Sequence, residues 1–302
     1  MERLFDLEFQ IFILIAVGFL VRRIGIISKA GEREMTDLVL YVVLPCSIFG
    51  SFLNGSAREN AGDMLAVLLI STGIQLLSLL YAKFAFPRQS DNRRRNLGYA
   101  MICSNAGFLG NPVAEGVFGA AGLMLAGLYL IPQRIMMWSE GLAIYSGVSD
   151  ARATAQKVLT HPCVIACALG LAAMLTHISL PPLLLTPVQT IAKCNTPLSM
   201  MVIGMVLSEI DPHALVDKTI LRFTVHRLVL LPLIVYGCCV LLGMSQLVTG
   251  VSTLLAAMPA GATTSMLAAK YERDPQFAAK LVIFSTLMSV PAIFVWSMVL
   301  TA

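Results

Sequence analysis

Charged residues are scarce in this chain, and their scarcity excludes most soluble folds. Only 13% of the 302 residues are Asp, Glu, Lys or Arg, whereas 57% are hydrophobic, and the mean hydropathy is +0.81. No polar segment is long enough to form a separate soluble domain. The composition predicts an all-α polytopic membrane protein with the lipid bilayer as its partner. The small positive net charge therefore does not indicate nucleic-acid binding.

Patterns typical of metal sites, cofactor sites and hydrolases are also missing. The seven cysteines lie within or at the edges of apolar runs without metal-ligand companions, so no metal, cofactor or disulfide framework is expected. H-E-x-x-H, G-x-S-x-G and phosphate-loop motifs do not occur. The acidic N-terminus lacks the basic region and cleavage site of a signal peptide, so the first apolar run is expected to remain as a helix.

Long apolar runs dominate what is present. Windows of about 18–25 apolar residues predict ten membrane-spanning helices, called predicted helices 1–10 below. They lie near residues 8–21, 36–53, 63–86, 97–118, 121–146, 158–176, 188–207, 218–242, 249–269 and 277–300.

Lys and Arg fall almost entirely on one side of these spans. They occupy the loops after predicted helices 1, 3, 5, 7 and 9, whereas only Arg3 and Arg58 fall on the other side. Because cytoplasmic loops carry an excess of Lys and Arg, this bias predicts that both termini lie outside. The residues are Arg22, Arg23, Lys29, Arg33, Lys83, Arg88, Arg93, Arg94, Arg95, Arg152, Lys157, Lys218, Arg222, Lys270, Arg273 and Lys280.

Predicted helix 4 contains residues that interrupt a helix. Asn105, Gly107, Asn111 and Pro112 lie in its middle. Proline cannot donate a backbone hydrogen bond and clashes with the carbonyl four residues earlier. Asn111 would cap a new half-helix with Pro112 at its first position, which would direct partial positive charge into a cavity. The alternative is a proline kink that only shapes packing.

The positions of prolines repeat between the two halves of the chain. Pro45 in predicted helix 2 corresponds to Pro197 in predicted helix 7, and Pro112 corresponds to Pro259 in predicted helix 9. Five helices are an odd number, so the second set enters the membrane in the opposite direction. The chain is therefore predicted to form two inverted five-helix repeats, an architecture of secondary transporters. The predicted bounds are 1–146 and 158–302, with a cytoplasmic link at 147–157.

Four segments together resemble the auxin efflux carrier family, whose bacterial members include malonate and malate permeases. They are S-N-A-G-F-L-G-N-P-V-A-E-G-V-F-G, H-P-C-V-I-A-C-A-L-G-L, T-P-L-S-M-M-V-I-G-M-V-L and A-M-P-A-G-A-T-T-S-M-L-A-A-K-Y-E-R-D-P. The resemblance implies a bile acid symporter-like fold in which broken helices 4 and 9 cross at the midplane, at Pro112 and Pro259, in a transport unit beside a scaffold unit. It also implies a carrier of small organic anions in the bacterial inner membrane, and a homodimer is a further possibility.

Arg134 is the most informative single residue, because it lies deep in predicted helix 5. It is about 18–20 Å from either end of that helix, where an arginine needs a cavity or a partner. Its planar guanidinium suits a carboxylate, so Arg134 and the neighbouring Gln133 are candidate substrate ligands. An internal ion pair with Glu140 or Glu115 is the alternative.

Polar residues in predicted helices 8 and 9 complete the set of candidates. Thr263 and Thr264 follow Pro259 and would either contact a ligand or cap carbonyls freed by the kink. Arg227, in predicted helix 8, is expected to snorkel or to form a structural pair.

Two other classes of function compete with transport. An intramembrane enzyme requires an acid–base or nucleophile–base pair facing one cavity, and none stands out in the sequence. A receptor-like binding protein would bind the same ligands without moving them across the membrane.

Overall fold

The computed structural model of the chain describes residues 2–53, 57–147, 151–176, 180–208 and 217–301. These residues form helices and no β-strand, which confirms the all-α prediction. The helices are α1 (Glu2–Arg23), α2 (Lys29–Leu38), α3 (Leu44–Leu53), α4 (Ala57–Phe84), α5 (Asp91–Ile102), α6 (Asn111–Trp138), α7 (Glu140–Ser146), α8 (Ala151–Leu159), α9 (Pro162–Leu175), α10 (Pro182–Ala192), α11 (Asn195–Leu207), α12 (Lys218–Val225), α13 (Leu231–Leu241), α14 (Gln246–Ala256), α15 (Thr263–Lys270) and α16 (Pro275–Thr301).

Six helical segments within the described ranges are long and apolar enough to cross a membrane. They are Lys29–Leu53, Ala61–Phe84, Ala106–Met137, Pro182–Leu207, Lys218–Leu241 and Pro275–Thr301, and two shorter apolar helices are Pro162–Leu175 and Gln246–Ala256. The chain is therefore a multi-pass membrane protein, while ten spans remain a prediction. The predicted link is partly helical, because α8 occupies most of it, and residues 148–150 lie outside the described ranges.

Three prolines each lie two residues after the end of a π-helical turn. The turns Val39–Val43, Ala106–Gly110 and His226–Leu230 each end two residues before a proline. A proline ring clashes with the carbonyl four residues earlier in an α-helix, and in each case that carbonyl belongs to the π turn. The wider turn provides room for the ring, so Pro45, Pro112 and Pro232 are accommodated without ending the helix.

The long helix α6 folds back on itself at Gly119. This residue has φ 67° and ψ −159°, a conformation that only glycine adopts readily. A Cβ added to Gly122 would lie 2.5 Å from the carbonyl oxygen of Ala114, although residues eight apart on a straight helix are separated by about 12 Å. The fold-back falls between predicted helices 4 and 5.

The described residues pack into two compact units, and each unit takes segments from both sequence halves. The first unit comprises Met1–Met64, Phe108–Leu128 and Thr160–Ile210, and the second comprises Leu65–Gly107, Tyr129–Leu159 and Asp211–Ala302.

Close backbone approach holds two helices of the first unit together. Helix α1 packs against α11. A Cβ on Gly18 would lie 1.9 Å from the carbonyl oxygen of Met201, and one on Gly204 would lie 1.9 Å from that of Ile15. Both glycines are thus required by the contact, as is common where membrane helices meet through small residues. Helices α9 and α10 both pack against α3.

Charged side chains join three helix ends in the second unit. Arg93 on α5 pairs with Asp217, the N-cap of α12, at 3.2 Å and with Asp274, just before α16, at 3.6 Å. Asn96 Nδ2 donates to the carbonyl oxygens of Arg273, at 2.8 Å, and Asp274, at 3.1 Å. Burial raises the pKa of Asp217, but hydrogen bonds from Thr219 and the charge of Arg93 hold it below its ordinary value. The cluster holds the N-terminal end of α5 against the N-terminal ends of α12 and α16.

Candidate functional site

Two interrupted helices of the second unit meet through their backbones. Helix α5 ends at Ile102, and α14 and α15 are separated by residues 257–262. The exposed backbone groups of the two interruptions pair in an antiparallel bridge between Ser104 and Ala260. Asn105 N donates to Pro259 O at 2.8 Å, and Gly261 N donates to Cys103 O at 2.9 Å. Unpaired backbone groups are not tolerated in a bilayer, so each break satisfies the other.

The position of the first break corrects one prediction. The sequence places the interruption and the crossing at Pro112, whereas the extended pairing lies at residues 103–105. The new half-helix begins at Ala106 with a π turn, and Asn111 and Pro112 lie within it rather than at its cap. The physical reason is that the π turn accommodates Pro112, while the pairing with Pro259 and its neighbours interrupts the helix earlier.

Close approach at the crossing requires Gly261. A Cβ on this residue would lie 3.1 Å from Cys103 O, 3.2 Å from Cys103 Sγ and 3.3 Å from Ser104 O. These separations are shorter than ordinary carbon contacts of about 3.5–4.0 Å. A larger residue would push the two interruptions apart.

A buried arginine caps the two helix ends that lead into the crossing. Arg227 is 2% exposed, and its Nε donates to Met258 O at 2.9 Å while its Nη1 donates to Met101 O at 2.8 Å. Helix C-termini carry partial negative charge, and Arg227 places positive charge against both. Of the two alternatives expected for Arg227, snorkelling is wrong, because the residue is buried, whereas its structural role is observed as bonds to two backbone carbonyl oxygens.

Polar side chains around the crossing form two hydrogen-bonded groups. Ser104 Oγ donates to Gln133 Oε1 at 3.0 Å, and Gln133 Nε2 donates to Ser104 O at 2.8 Å. Tyr99 Oη donates to Thr263 Oγ1 at 3.1 Å, and Cys103 Sγ lies 3.2 Å from the same oxygen. Gln133 and Thr263 are thus brought to the two interruptions, as residues of a shared site would be.

Two predicted ligands keep unused hydrogen-bonding capacity. Thr264 is fully buried, and its Oγ1 has no partner among the described residues, although its carbonyl oxygen accepts from Tyr145 Oη at 3.3 Å. The Asn105 backbone is paired with Pro259, and its side chain is half-buried and makes no hydrogen bond to the described residues.

Arg134 is buried without a partner for part of its guanidinium. It is 7% exposed, and Nη1 has no hydrogen-bond partner within the described part of the chain. The ion pair with Glu140 that was considered from the sequence is not formed. Gly107 lies beside it, since a Cβ there would be 3.7 Å from Arg134 Nη2. An unpaired buried guanidinium is costly, and next to the start of a half-helix it favours an anionic ligand.

The remaining predicted site residues, Asn111 and Pro112, belong to the first unit. Asn111 is fully buried, and neither Nδ2 nor Oδ1 has a hydrogen-bond partner among the described residues. One helical turn later, Glu115 Oε2 accepts from Ser47 Oγ at 3.4 Å and from Asn195 Nδ2 at 3.2 Å.

Sequence reasoning missed the residues whose roles depend on long-range contacts. Ser104 and Gly261 hold the crossing together through partners distant in the sequence, and the backbone partners of Arg227 were likewise not predicted. Gly261 follows Pro259 closely, and that proximity was the only local signal for it.

Two interrupted helices that cross among polar side chains in a multi-pass membrane protein are typical of membrane carriers. Comparison with known proteins also indicates a transporter. The family described as "Membrane transport protein" matches residues 5–158 and 146–297. The chain belongs to this family, which confirms the resemblance to the auxin efflux carriers.

Two archaeal relatives cover almost the whole chain. An uncharacterized transporter of Methanothermobacter thermautotrophicus is 27% identical over 297 residues, which are 96% of each chain. An uncharacterized transporter of Methanocaldococcus jannaschii is 23% identical over 310 residues, which are 98% of each chain. Both names describe transport and neither specifies a substrate.

Proposed function

We propose that the protein is a secondary transporter of small organic anions, such as malonate, malate or auxin-like acids, that works by alternating access. The observation that carries the proposal is the unpaired, buried guanidinium of Arg134 beside the start of a half-helix at Ala106. Both features attract negative charge, and a guanidinium binds a carboxylate through two parallel hydrogen bonds.

The electrostatics of the crossing support an anion rather than a cation. Four half-helix ends adjoin the two interruptions: two C-termini, near Met101 and Met258, and two N-termini, at Ala106 and Thr263. Arg227 already neutralises the partial negative charge of the C-termini. The half-helices that begin at Ala106 and Thr263 have no acidic residue in their first turn to neutralise the partial positive charge of their N-termini.

The proposed substrate contacts follow from this arrangement. Arg134 binds a carboxylate, Gln133 and the Asn105 side chain donate or accept hydrogen bonds, and Gly107 leaves the guanidinium accessible. Pro259 maintains the second interruption, and Thr263 and Thr264 supply hydroxyls at the second half-helix. Asn111 and Pro112 are further proposed contacts carried by the first unit.

The transport cycle and the membrane arrangement are part of the same proposal. Movement of a transport unit against a scaffold unit would expose the site alternately to the two sides of the membrane. The ten-helix inverted repeat, with halves 1–146 and 158–302, gains support from the recurrence of Pro45-Cys46-Ser47 as Pro197-Leu198-Ser199. Location in a bacterial inner membrane with both termini outside, and assembly as a homodimer, complete the proposal.

Flux through reconstituted protein tests the function. Purified protein in liposomes should take up radiolabelled malonate saturably, and unlabelled mono- and dicarboxylates should compete, whereas the neutral analogue malonamide should not. Binding of malonate without uptake would favour a receptor-like protein instead. Equal competition by malonamide would contradict an anion site.

A further inference from the structure

The first unit contains a carboxyl group that the proposed anion site does not use. Glu115 lies on α6, within the apolar segment Ala106–Met137 and four residues before the fold-back at Gly119. Its Oε2 accepts from Ser47 Oγ at 3.4 Å and from Asn195 Nδ2 at 3.2 Å. Both donors are neutral, and Glu115 has no ion pair among the described residues.

The helices that carry the two donors supply no charge, although α2, which also packs against α11, carries Lys29, Glu32, Arg33, Glu34 and Asp37, and Lys193 directly follows α10. Helices α3 and α11, which carry the donors, contain no Asp, Glu, Lys or Arg, and neither do α9 and α10, which pack against α3. Helix α1, which packs against α11, has charged residues only near its two ends. The titratable groups on α3 and α9 are the thiols of Cys46, Cys163 and Cys167. Glu115 is half-buried, and burial of a carboxylate without a cation favours its neutralisation by a proton or a bound cation.

The donor set favours a proton over a metal cation. Asn195 directs its amide nitrogen, not its oxygen, at the carboxyl group, and Ser199 Oγ donates to Asn195 Oδ1 at 3.5 Å. Glu115 Oε2 already accepts from Ser47 and Asn195, and Asn195 Oδ1 already accepts from Ser199, so these groups leave too few free oxygens for the oxygen shell of a metal cation.

A buried side-chain amide near Glu115, that of Asn111, lacks hydrogen-bond partners among the described residues. Asn111 lies one turn earlier on the same face of α6, is fully buried, and leaves both side-chain polar atoms without a partner among the described residues. Buried polar groups without protein partners are normally satisfied by ordered water. Water at Asn111 would supply protons to the carboxyl group.

We propose that Glu115 is a proton-binding site. Its carboxylate takes up one proton from water to form a neutral carboxylic acid, which then donates a hydrogen bond, and it returns that proton to water without any other bond changing. We further infer that this proton moves with the organic anion and couples anion transport to the proton gradient; this inference rests on the proposed function.

Infrared spectroscopy of the purified protein in nanodiscs tests proton binding without any substrate. Stepping the pH should produce a carboxylic acid C=O band that is absent in Glu115→Gln and retained in the matched control Glu140→Gln, whose residue is exposed on α7. Ser47→Ala removes a hydrogen-bond donor and should shift the frequency of that band, which keeps the assignment testable if Glu115→Gln folds poorly. A spectrum unchanged by Glu115→Gln, or a band unmoved by Ser47→Ala, would overturn the proton site.

Malonate flux in liposomes then tests the coupling. An inward-directed proton gradient should stimulate uptake by the wild type, and Glu115→Gln should lose that stimulation while exchanging internal for external malonate at the wild-type rate. Gradient-stimulated uptake in Glu115→Gln would overturn the coupling and leave the proton site intact. Absence of any carboxylate flux in the wild type, together with a titrating band, would contradict the proposed function alone.

Discussion

At the scale of single residues, two buried arginines of the second unit have opposite roles. Arg227 donates to two backbone carbonyl oxygens and is 2% exposed, whereas Arg134 is 7% exposed and leaves Nη1 without a partner. The first stabilises the crossing, and the second carries a positive charge that no described residue pairs with. Their substitution should therefore affect stability differently.

Arg227→Met should lower the melting temperature of the purified apo protein by several degrees. It leaves two buried carbonyl oxygens without their donor, and each stranded group costs about 1–3 kcal/mol. Arg134→Met, the matched control, should leave the apo melting temperature unchanged or raise it, because it removes an expensive buried charge. Differential scanning fluorimetry in detergent measures both, and equal destabilisation by the two variants would contradict the assignment.

At the scale of helices, the two breaks differ in how far the sequence could predict them. Pro259 predicted the interruption of predicted helix 9, because proline removes a donor and clashes locally. The interruption at residues 103–105 contains Cys, Ser and Asn, and none of them forces a helix to end. It exists because these residues pair with residues 259–261. A local pattern therefore predicted the existence of a crossing but misplaced one side of it at Pro112.

Gly261→Ala should disturb the crossing, because a Cβ there must displace Cys103 and Ser104 by a few tenths of an ångström. We expect a lower apo melting temperature and slower malonate uptake. Gly50→Ala is the control: nothing lies within 4 Å of a Cβ at that position, and alanine should stabilise the interior of α3 by about 0.5–1 kcal/mol. Wild-type uptake by Gly261→Ala would show that close backbone approach at the crossing is not required.

At the scale of the whole molecule, composition predicted the class of protein but not its compact units. Apolar runs identify membrane segments because bilayer thickness fixes their length. The division into two units depends on contacts such as the approach of Gly18 to Met201 and of Gly204 to Ile15, which join distant parts of the chain. The local sequence around Gly18 and Gly204 does not predict which residues they contact.

The orientation predicted from Lys and Arg can be tested on intact cells. A cysteine introduced at Gln246, the exposed first residue of α14, should react with a membrane-impermeant maleimide from outside. A cysteine at Gln89, before α5, should react only after the membrane is permeabilised. The labelling of the wild type, with its seven native cysteines, gives the background, and the opposite pattern would invert the proposed topology.

The affinity of Arg134 variants for malonate tests the central claim, that the second unit binds an organic anion at this guanidinium. Isothermal titration calorimetry on wild type, Arg134→Lys and Arg134→Ala should show progressively weaker binding. Arg134→Ala loses charged hydrogen bonds that contribute about 1.5–3 kcal/mol, so its affinity for malonate should fall by about 10- to 100-fold. Lysine keeps the charge but loses the planar, bidentate geometry. Wild-type affinity in Arg134→Ala would remove Arg134 from the site and contradict the account.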